Sequence, residues 1–111
     1  MNARIAIKTD GRIVLVPVED VDWIKAADNY VEIHVDRRIH LHRETLSSLE
    51  RRLDSRRFVR ISRSVIVNTS RIDELEPLFH GEYAVVLRDG TRLTLSRTHR
   101  AKLNFLLGES S

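Results

Sequence analysis

Three turn signals constrain what this chain can fold into. Asp10-Gly11, His80-Gly81 and Asp89-Gly90 each separate short runs with strand-like apolar patterns. Asp-Gly between such runs is a strong signal for a β-hairpin, because the favoured two-residue turn requires positive φ angles. The spacing of roughly ten residues predicts antiparallel sheets, and the lack of strand–helix–strand alternation argues against a doubly wound fold. We therefore predict a mainly β protein with about eight to ten short strands.

Two segments depart from the strand pattern and predict helices. In residues 44–54, leucines recur at helical spacing behind Thr45, a residue suited to capping a helix. Residues 96–108 begin at the capping residue Ser96 and end at Gly108, which suits a helix C-terminus. The apolar stripe of this second helix comprises Leu103, Leu106 and Leu107.

Length and composition predict a single domain over residues 1–111. The chain has 111 residues, 41% of them hydrophobic, and no cysteine, so we expect neither a disulfide framework nor thiolate chemistry. No apolar run approaches the ~20 residues of a membrane span, and the N-terminus does not resemble a signal peptide. Glycine-rich phosphate loops and catalytic motifs are absent. We expect a cytoplasmic protein that needs no cofactor and is not an enzyme.

Charge is distributed unevenly along the chain. Residues 37–71 carry 10 basic and 3 acidic side chains, whereas residues 1–36 and 72–96 each have a net charge of −3. Arginine supplies 16 of the 19 basic residues, and its planar fork of donors suits phosphates and base edges. A basic block between acidic segments favours a cationic face and a polyanionic partner. A merely solvated surface is equally compatible with composition alone.

The run "RFVRISRSVIVN", residues 57–68, is apolar and β-branched yet contains three arginines. Two short strands joined by a tight turn at Ser62-Arg63 account for it, with Phe58, Ile61, Val65 and Val67 facing the core. In this arrangement Arg60 projects from the edge, and Ser62, Arg63 and Ser64 stand at the tip, where arginine can reach guanine and serine can reach phosphate. The alternative is that Arg60 and Arg63 pair with the acidic residues of 73–76.

Histidines offer a second candidate site. His40 and His42 share one face of a predicted strand, and His34 on the preceding strand approaches them if the hairpin register allows. Neutral imidazoles so placed could bind Zn²⁺. No carboxylate completes the set, and Arg37, Arg38 and Arg43 nearby disfavour a cation. We predict no metal site.

The run "FVRISRSVIVNTSRI" resembles the signature of the LytTR DNA-binding domain found in bacterial response regulators. Its core pattern here is Phe-x-Arg-x-x-Arg-Ser-x-x-Val-Asn. Further family landmarks follow in order: "LVPVEDVDWIKAADNYVEIHV", "HRETLSSLE" and "LRDGTRLTLSRTHRAKL". The similarity extends from about residue 13 to residue 107.

The resemblance implies an elongated, mainly β fold of short antiparallel sheets with two helices. It implies transcriptional regulation through double-stranded DNA, with loops rather than a recognition helix entering successive major grooves at direct repeats. It carries over Asn29 from the first loop, with Asp28 and Tyr30 near its rim. It likewise carries over the "SRS" turn with Arg60 beside it, and the start of the last helix. The resulting candidate DNA contacts are Asn29, Arg43, Arg60, Ser62, Arg63, Ser64, Arg97, Thr98 and Arg100.

Other interpretations remain open at this point. The division of these residues between base and phosphate contacts is not fixed by the resemblance, and Asn29 could be only a turn residue. Two copies are expected on repeated half-sites. The alternative function is a protein-interaction module that docks an acidic regulatory partner through the basic face. RNA binding is weaker, since aromatic residues are only 5% of the chain and no stacking platform is visible.

Overall fold

The structure is a computed structural model that describes residues 3–108. These residues form ten strands, two α-helices and four short 3-10 helices. The strands are β1 (Arg4–Thr9), β2 (Arg12–Pro17), β3 (Trp23–Ala27), β4 (Tyr30–Val35), β5 (Arg38–His42), β6 (Phe58–Ser62), β7 (Val65–Asn68), β8 (Ile72–Pro77), β9 (Tyr83–Leu87) and β10 (Arg92–Leu95). The α-helices are α1 (Leu46–Arg52) and α2 (Leu103–Leu106). The 3-10 helices are Val18–Asp20, Thr69–Arg71, Phe79–Gly81 and Arg97–Lys102.

The strands form three antiparallel sheets. A central five-stranded sheet has the order β5-β4-β3-β7-β6, a second has the order β10-β9-β8, and β1 and β2 form a separate hairpin. The molecule measures 45 × 31 × 26 Å along its principal axes. The predicted mainly β fold, elongated and built from short antiparallel sheets, is confirmed.

One face of the central sheet packs against the β1–β2 hairpin and α1. Ile24, Ile33 and Ile66 from the sheet are fully buried in this first core. The hairpin contributes Ile5, and α1 contributes Leu49. The short helix α1 is thus held by packing of its leucine face, as its length of seven residues requires.

The opposite face of β6 and β7 forms a second core with the three-stranded sheet. Val59, Ile61 and Val67 are buried there against Val85 and Leu95. Phe58 and Ile66, by contrast, belong to the first core. The prediction of a single core face for this hairpin was therefore incomplete. Both faces are covered, which explains why its sequence is almost continuously apolar.

Local turn and cap chemistry agrees with the sequence at several points. Asp10 and Gly11 have φ angles of 48° and 72°, as a type I′ hairpin turn requires at both central positions. Thr45 caps α1 by accepting a hydrogen bond of 3.1 Å from the backbone amide of Ser48. The β6–β7 turn lies at Arg63-Ser64 rather than Ser62-Arg63, because a β-bulge between Arg60 and Ser62 shifts the register.

The last predicted helix differs most from expectation. Residues Arg97–Lys102 form a 3-10 helix with an irregular backbone at His99, and only Leu103–Leu106 is α-helical. The Ser96 hydroxyl contacts the side chains of Thr98 and His99 and makes no capping bond to a backbone amide. Leu103 and Leu106 pack on the second core, but Leu107 is 54% exposed. None of the helices in the described part of the chain is long and apolar enough to cross a membrane.

Candidate nucleic-acid interface

Two backbone hydrogen bonds join the β6–β7 hairpin to two other segments of the chain. The amide of Ala26, beside the β3–β4 turn, donates to the carbonyl of Ser64 in the β6–β7 turn at 2.8 Å. The amide of Ser96 donates to the carbonyl of Ile61 at 2.8 Å, which joins the 3-10 segment 97–102 to the same hairpin. We call the candidate residues on and beside these joined segments the loop surface and define it by Asn29, Arg43, Ser62, Arg63, Ser64, Arg97, Thr98 and Arg100.

Asn29 lies at the tip of the two-residue β3–β4 turn. Asp28 before it has a φ of 58°, a left-handed conformation that aspartate tolerates better than most residues. Asn29 is exposed, and its side chain makes no hydrogen bond to any of residues 3–108. Tyr30 beside it is 41% exposed and lies 5.8 Å, measured to its ring centroid, from the guanidinium of Arg43. Arg43 is thereby held close to the Asn29 turn.

The β6–β7 turn presents the "SRS" residues. Arg63 is exposed at the tip, and its side chain forms no ion pair or hydrogen bond within residues 3–108. The Ser62 hydroxyl accepts a hydrogen bond of 3.2 Å from the amide of Ser64, which closes the turn locally. Arg63 therefore has a full set of donors directed away from the fold.

Arg60 has a different environment from Arg63. Its Nε donates to the carbonyl of Ser62 at 2.9 Å, and its Nη2 donates to the carbonyl of Arg63. Its Nη1 pairs with the Glu50 carboxylate of α1 at 2.9 Å. The side chain is only 16% exposed. Arg60 thus lies against the turn, and its ionic partner is Glu50 rather than an acidic residue of 73–76.

Arg97, Thr98 and Arg100 lie on the 3-10 segment at the far side of the β6–β7 turn. All three are exposed. A side chain added at Gly81 would meet Arg97 Cγ at 3.5 Å and Arg100 Nη1 at 3.7 Å, so the β8–β9 loop lies directly beside these arginines. The 3-10 segment that carries these arginines therefore contacts both the β8–β9 loop and, through Ser96, the β6–β7 hairpin.

Two features of this region were not found from the sequence. The β8–β9 loop borders the loop surface with Phe79 85% exposed, and its only sequence signal was the His80-Gly81 turn. Glu50 contacts Arg60, a pairing that the sequence did not predict. No local pattern signals a contact between a helix residue and a strand residue ten positions later.

Ion pairs away from the loop surface neutralise other arginines. Arg52 pairs with Glu44 at 2.7 Å, and hydrogen bonds from Arg52, Ser48 and His42 lower the pKa of Glu44 to about 2. Arg71 pairs with Asp22 at 3.1 Å. Burial nevertheless raises the pKa of Asp22, outweighing its bond from the Asp36 amide and the Arg71 charge.

The arginines of the loop surface have no such partners. Within the described part of the chain, no carboxylate lies within ion-pairing distance of the four that define it, Arg43, Arg63, Arg97 and Arg100. Their charge is therefore available to an external anion.

The histidines do not converge. His34 pairs with Ile39 across β4 and β5, whereas His40 and His42 pair with Ile33 and Val31, so His34 lies on the opposite face of the sheet. His34 instead stacks on Trp23 with ring centroids 3.9 Å apart. Among residues 3–108, no three potential metal-ligating side chains are grouped.

The fold and this surface define a class of β-rich module in which strand-connecting turns and a 3-10 segment expose arginine, asparagine and serine side chains. Comparison with known proteins assigns the family. The LytTr DNA-binding domain family matches residues 11–108. The chain belongs to this family of DNA-binding domains, which serve as output domains of bacterial transcriptional regulators.

Relatives and a solved structure agree with this assignment. The sensory transduction protein LytT of Bacillus anthracis is 32% identical over 104 residues, covering 94% of this chain and 42% of the relative. The transcriptional regulatory protein LytR of Staphylococcus aureus is 28% identical over 94 residues, covering 85% of this chain and 38% of the relative. A LytTr DNA-binding domain from Bacillus cereus superposes with a TM-score of 0.85 at 25% identity, covering 96% of this chain and 97% of that one. The chain spans less than half the length of these curated relatives.

Proposed function

We propose that this chain binds double-stranded DNA sequence-specifically through the loop surface and acts in transcriptional regulation. Asn29 and Arg63 are the base-reading residues in this proposal, because both are exposed at loop tips and their side-chain donors have no partner among residues 3–108. Asparagine can pair with adenine and arginine with guanine in the major groove. Ser62, Ser64 and Thr98 add hydroxyl contacts, and Arg43, Arg97 and Arg100 contact phosphates.

The observation that carries this proposal is the convergence of three loops on one arginine-rich surface. Arg52, Arg71 and Arg92 pair with acidic side chains, whereas other arginines outside the loop surface, such as Arg37 and Arg38, form no ion pair within residues 3–108. The arginines of the loop surface form no ion pair with any of residues 3–108, although acidic residues are plentiful elsewhere in the chain. The phosphates of a DNA backbone would accept hydrogen bonds from these arginines and neutralise their charge.

The loops of this proposal enter successive major grooves, as the resemblance to the LytTR family implies. One turn of B-DNA rises roughly 34–36 Å. The loops belong to strands buried in the cores, so they are held in a fixed relation before DNA arrives. We further propose that two copies bind direct repeats, each copy placing its loops on one half-site.

A selection of bound fragments from a random duplex library tests the function directly. A shared motif present as two direct repeats is expected. Titration of the selected duplex should then give an affinity that falls with salt at a log–log slope of roughly −4 to −8, which corresponds to about five to nine neutralised phosphates. A duplex with one repeat scrambled should bind a single copy, as measured by analytical ultracentrifugation.

The same experiment separates the alternative of an acidic protein partner. Equal affinity for selected and scrambled duplexes would contradict sequence-specific reading. A flat response to salt would contradict phosphate binding altogether and would favour a protein-interaction module.

A further inference from the structure

The Arg60–Glu50 ion pair links helix α1 to the tip of the β6–β7 turn. Arg60 donates hydrogen bonds to the carbonyls of Ser62, the last residue of β6, and Arg63, the first residue of the turn. Its third contact is the Glu50 carboxylate, with Ser47 Oγ at 3.5 Å beside it. One guanidinium therefore joins the tip that carries Arg63 to a helix anchored in the first core.

We infer that Arg60 and Glu50 are positioning residues that hold the Arg63 tip in its DNA-reading geometry. This inference rests on the proposed function. A β-bulge leaves a residue unpaired and weakens the ladder locally, so the turn beyond it needs another restraint. Arg60 supplies that restraint by satisfying the Ser62 and Arg63 carbonyls with a rigid planar fork, which lysine cannot reproduce.

Glu50 fixes the direction of the fork. A buried or half-buried carboxylate holding an arginine by a short charge-assisted bond limits the rotamers that the arginine can adopt. Arg60 is 16% exposed and Glu50 39% exposed, so the pair lies beneath the tip rather than on it. The side chain is thus directed at its own backbone, and the charge reaching DNA comes from Arg63.

This role predicts an effect opposite in sign to simple electrostatics. Removing an acidic group near a DNA-binding surface ordinarily strengthens DNA binding, because it removes repulsion of phosphates. If Glu50 positions the tip, its removal must instead weaken binding to the preferred duplex. Glu44 offers a matched control, because it also pairs with an arginine, Arg52, beside the same helix but makes no contact with the turn.

Five variants should be titrated against selected and scrambled duplexes at several salt concentrations: Arg60→Lys, Arg60→Ala, Glu50→Ala, Glu50→Gln and Glu44→Ala. We expect Arg60→Lys to weaken selected binding about ten-fold and Glu50→Ala about three- to ten-fold, with little change on the scrambled duplex. Glu50→Gln retains an acceptor and should recover most of the loss. Glu44→Ala should leave selected binding unchanged or slightly stronger. The salt slope of Arg60→Ala should equal that of the unmodified chain, since no phosphate contact is lost.

Amide hydrogen exchange of Arg63 and Ser64 in the DNA-free protein gives a readout independent of DNA. Faster exchange at these two amides in Arg60→Lys and Glu50→Ala, with an unchanged thermal midpoint, supports the positioning role. Unchanged exchange together with a salt slope smaller by about 1 in Arg60→Ala would overturn it and make Arg60 a phosphate contact. Stronger binding of Glu50→Ala to both duplexes would also overturn it. Failure of the unmodified chain to distinguish the duplexes would refute the proposed function. The exchange data would still show whether Arg60 and Glu50 restrain the β6–β7 turn.

Discussion

The side-chain amide of Asn68 donates a hydrogen bond of 2.8 Å to the carbonyl of Val21, 47 residues earlier in the chain. Asn68 is fully buried, and its side-chain oxygen accepts bonds from the amide and hydroxyl of Ser70 at 3.0 and 2.8 Å. Its backbone amide donates to the carbonyl of Asp22 at 3.0 Å. One side chain thus secures the end of β7 opposite the reading turn, which gives the final Asn of the family pattern a structural role.

Replacing Asn68 with alanine should destabilise the fold strongly. The change leaves the buried carbonyl of Val21 without its partner, at a cost of about 1–3 kcal/mol, whereas Ser70 is exposed and water can replace the partner of its amide. Chemical denaturation of the two proteins measures the difference. Because Asn68 is remote from the loop surface, DNA preference of the folded fraction should be retained. A change below 0.5 kcal/mol, on the order of an ordinary surface substitution, would contradict this role.

Arg63 and Arg52 provide a comparison at equal charge. Arg63 has exposed donors with no partner among residues 3–108, whereas Arg52 is held by Glu44 through two bonds of 2.7 and 3.2 Å. Arg63→Ala should cost about 1–3 kcal/mol of specific binding and flatten preference at one base position. Arg52→Ala should cost a few tenths of a kcal/mol at most, equally on all sequences.

Titration of both arginine variants against selected and scrambled duplexes at one salt concentration checks this comparison. Equal losses for the two variants, or losses that are the same on both duplexes, would remove the "SRS" turn from the reading surface.

Asn29→Ala should separate recognition from stability. The residue is exposed at a loop tip, so its truncation should leave the thermal midpoint nearly unchanged. Loss of a paired contact to a base edge should reduce discrimination between selected and scrambled duplexes by about 1–3 kcal/mol. A large fall in thermal midpoint with intact discrimination would instead show Asn29 to be a turn residue only.

Glu44 should give stability a characteristic dependence on acid. Its pKa falls from 4.5 to about 2 in the folded chain, chiefly through the bond from Arg52. A depressed carboxyl pKa contributes stability that is complete above pH 4.5 and is lost as pH falls towards 2. Glu44→Gln should therefore be less stable than the unmodified protein at neutral pH, and this difference should narrow between those values. Urea denaturation measures this difference in the free energy of unfolding. A difference that stays constant from pH 4.5 to about 2 would refute the lowered pKa of Glu44.

The features that sequence predicted best depend on local chemistry. Asp10-Gly11 forms the expected turn because both residues accept positive φ angles, and Thr45 caps α1 because its hydroxyl reaches an amide three residues ahead. The last helix ends at Gly108 as predicted but begins as a 3-10 segment, and the Ser96 hydroxyl bonds to neighbouring side chains instead of capping it, a competition that residue type alone does not decide. The pairing of β3 with β7 across the central sheet leaves no signal in local spacing.

The candidate site shows the same contrast between features that local sequence predicts and contacts that distant segments make. Arginine and serine at a turn tip could be recognised from "SRS", and the structure brings them beside Asn29 and Arg97 through hydrogen bonds between distant strands. The sequence placed Arg60 at the edge and Arg63 at the tip of the same run, and both were predicted to contact DNA. Their environments differ because α1 lies on only one side of β6 and provides Glu50 there, which becomes visible only once the helix is packed.

The β6–β7 hairpin, buried on both faces, divides its sequence into a part that can diverge and a part that cannot. Val59 and Val67 are at most 4% exposed, so a polar substitution there costs folding before it can alter binding. Residues 63 and 64 are exposed and bear on no core. Under the proposed function, a gene duplicate could therefore acquire new operators over evolutionary time by changes at the tip, on an unchanged scaffold. A combinatorial library randomised at these two positions should for the same reason yield mostly folded members that differ in the promoters they select.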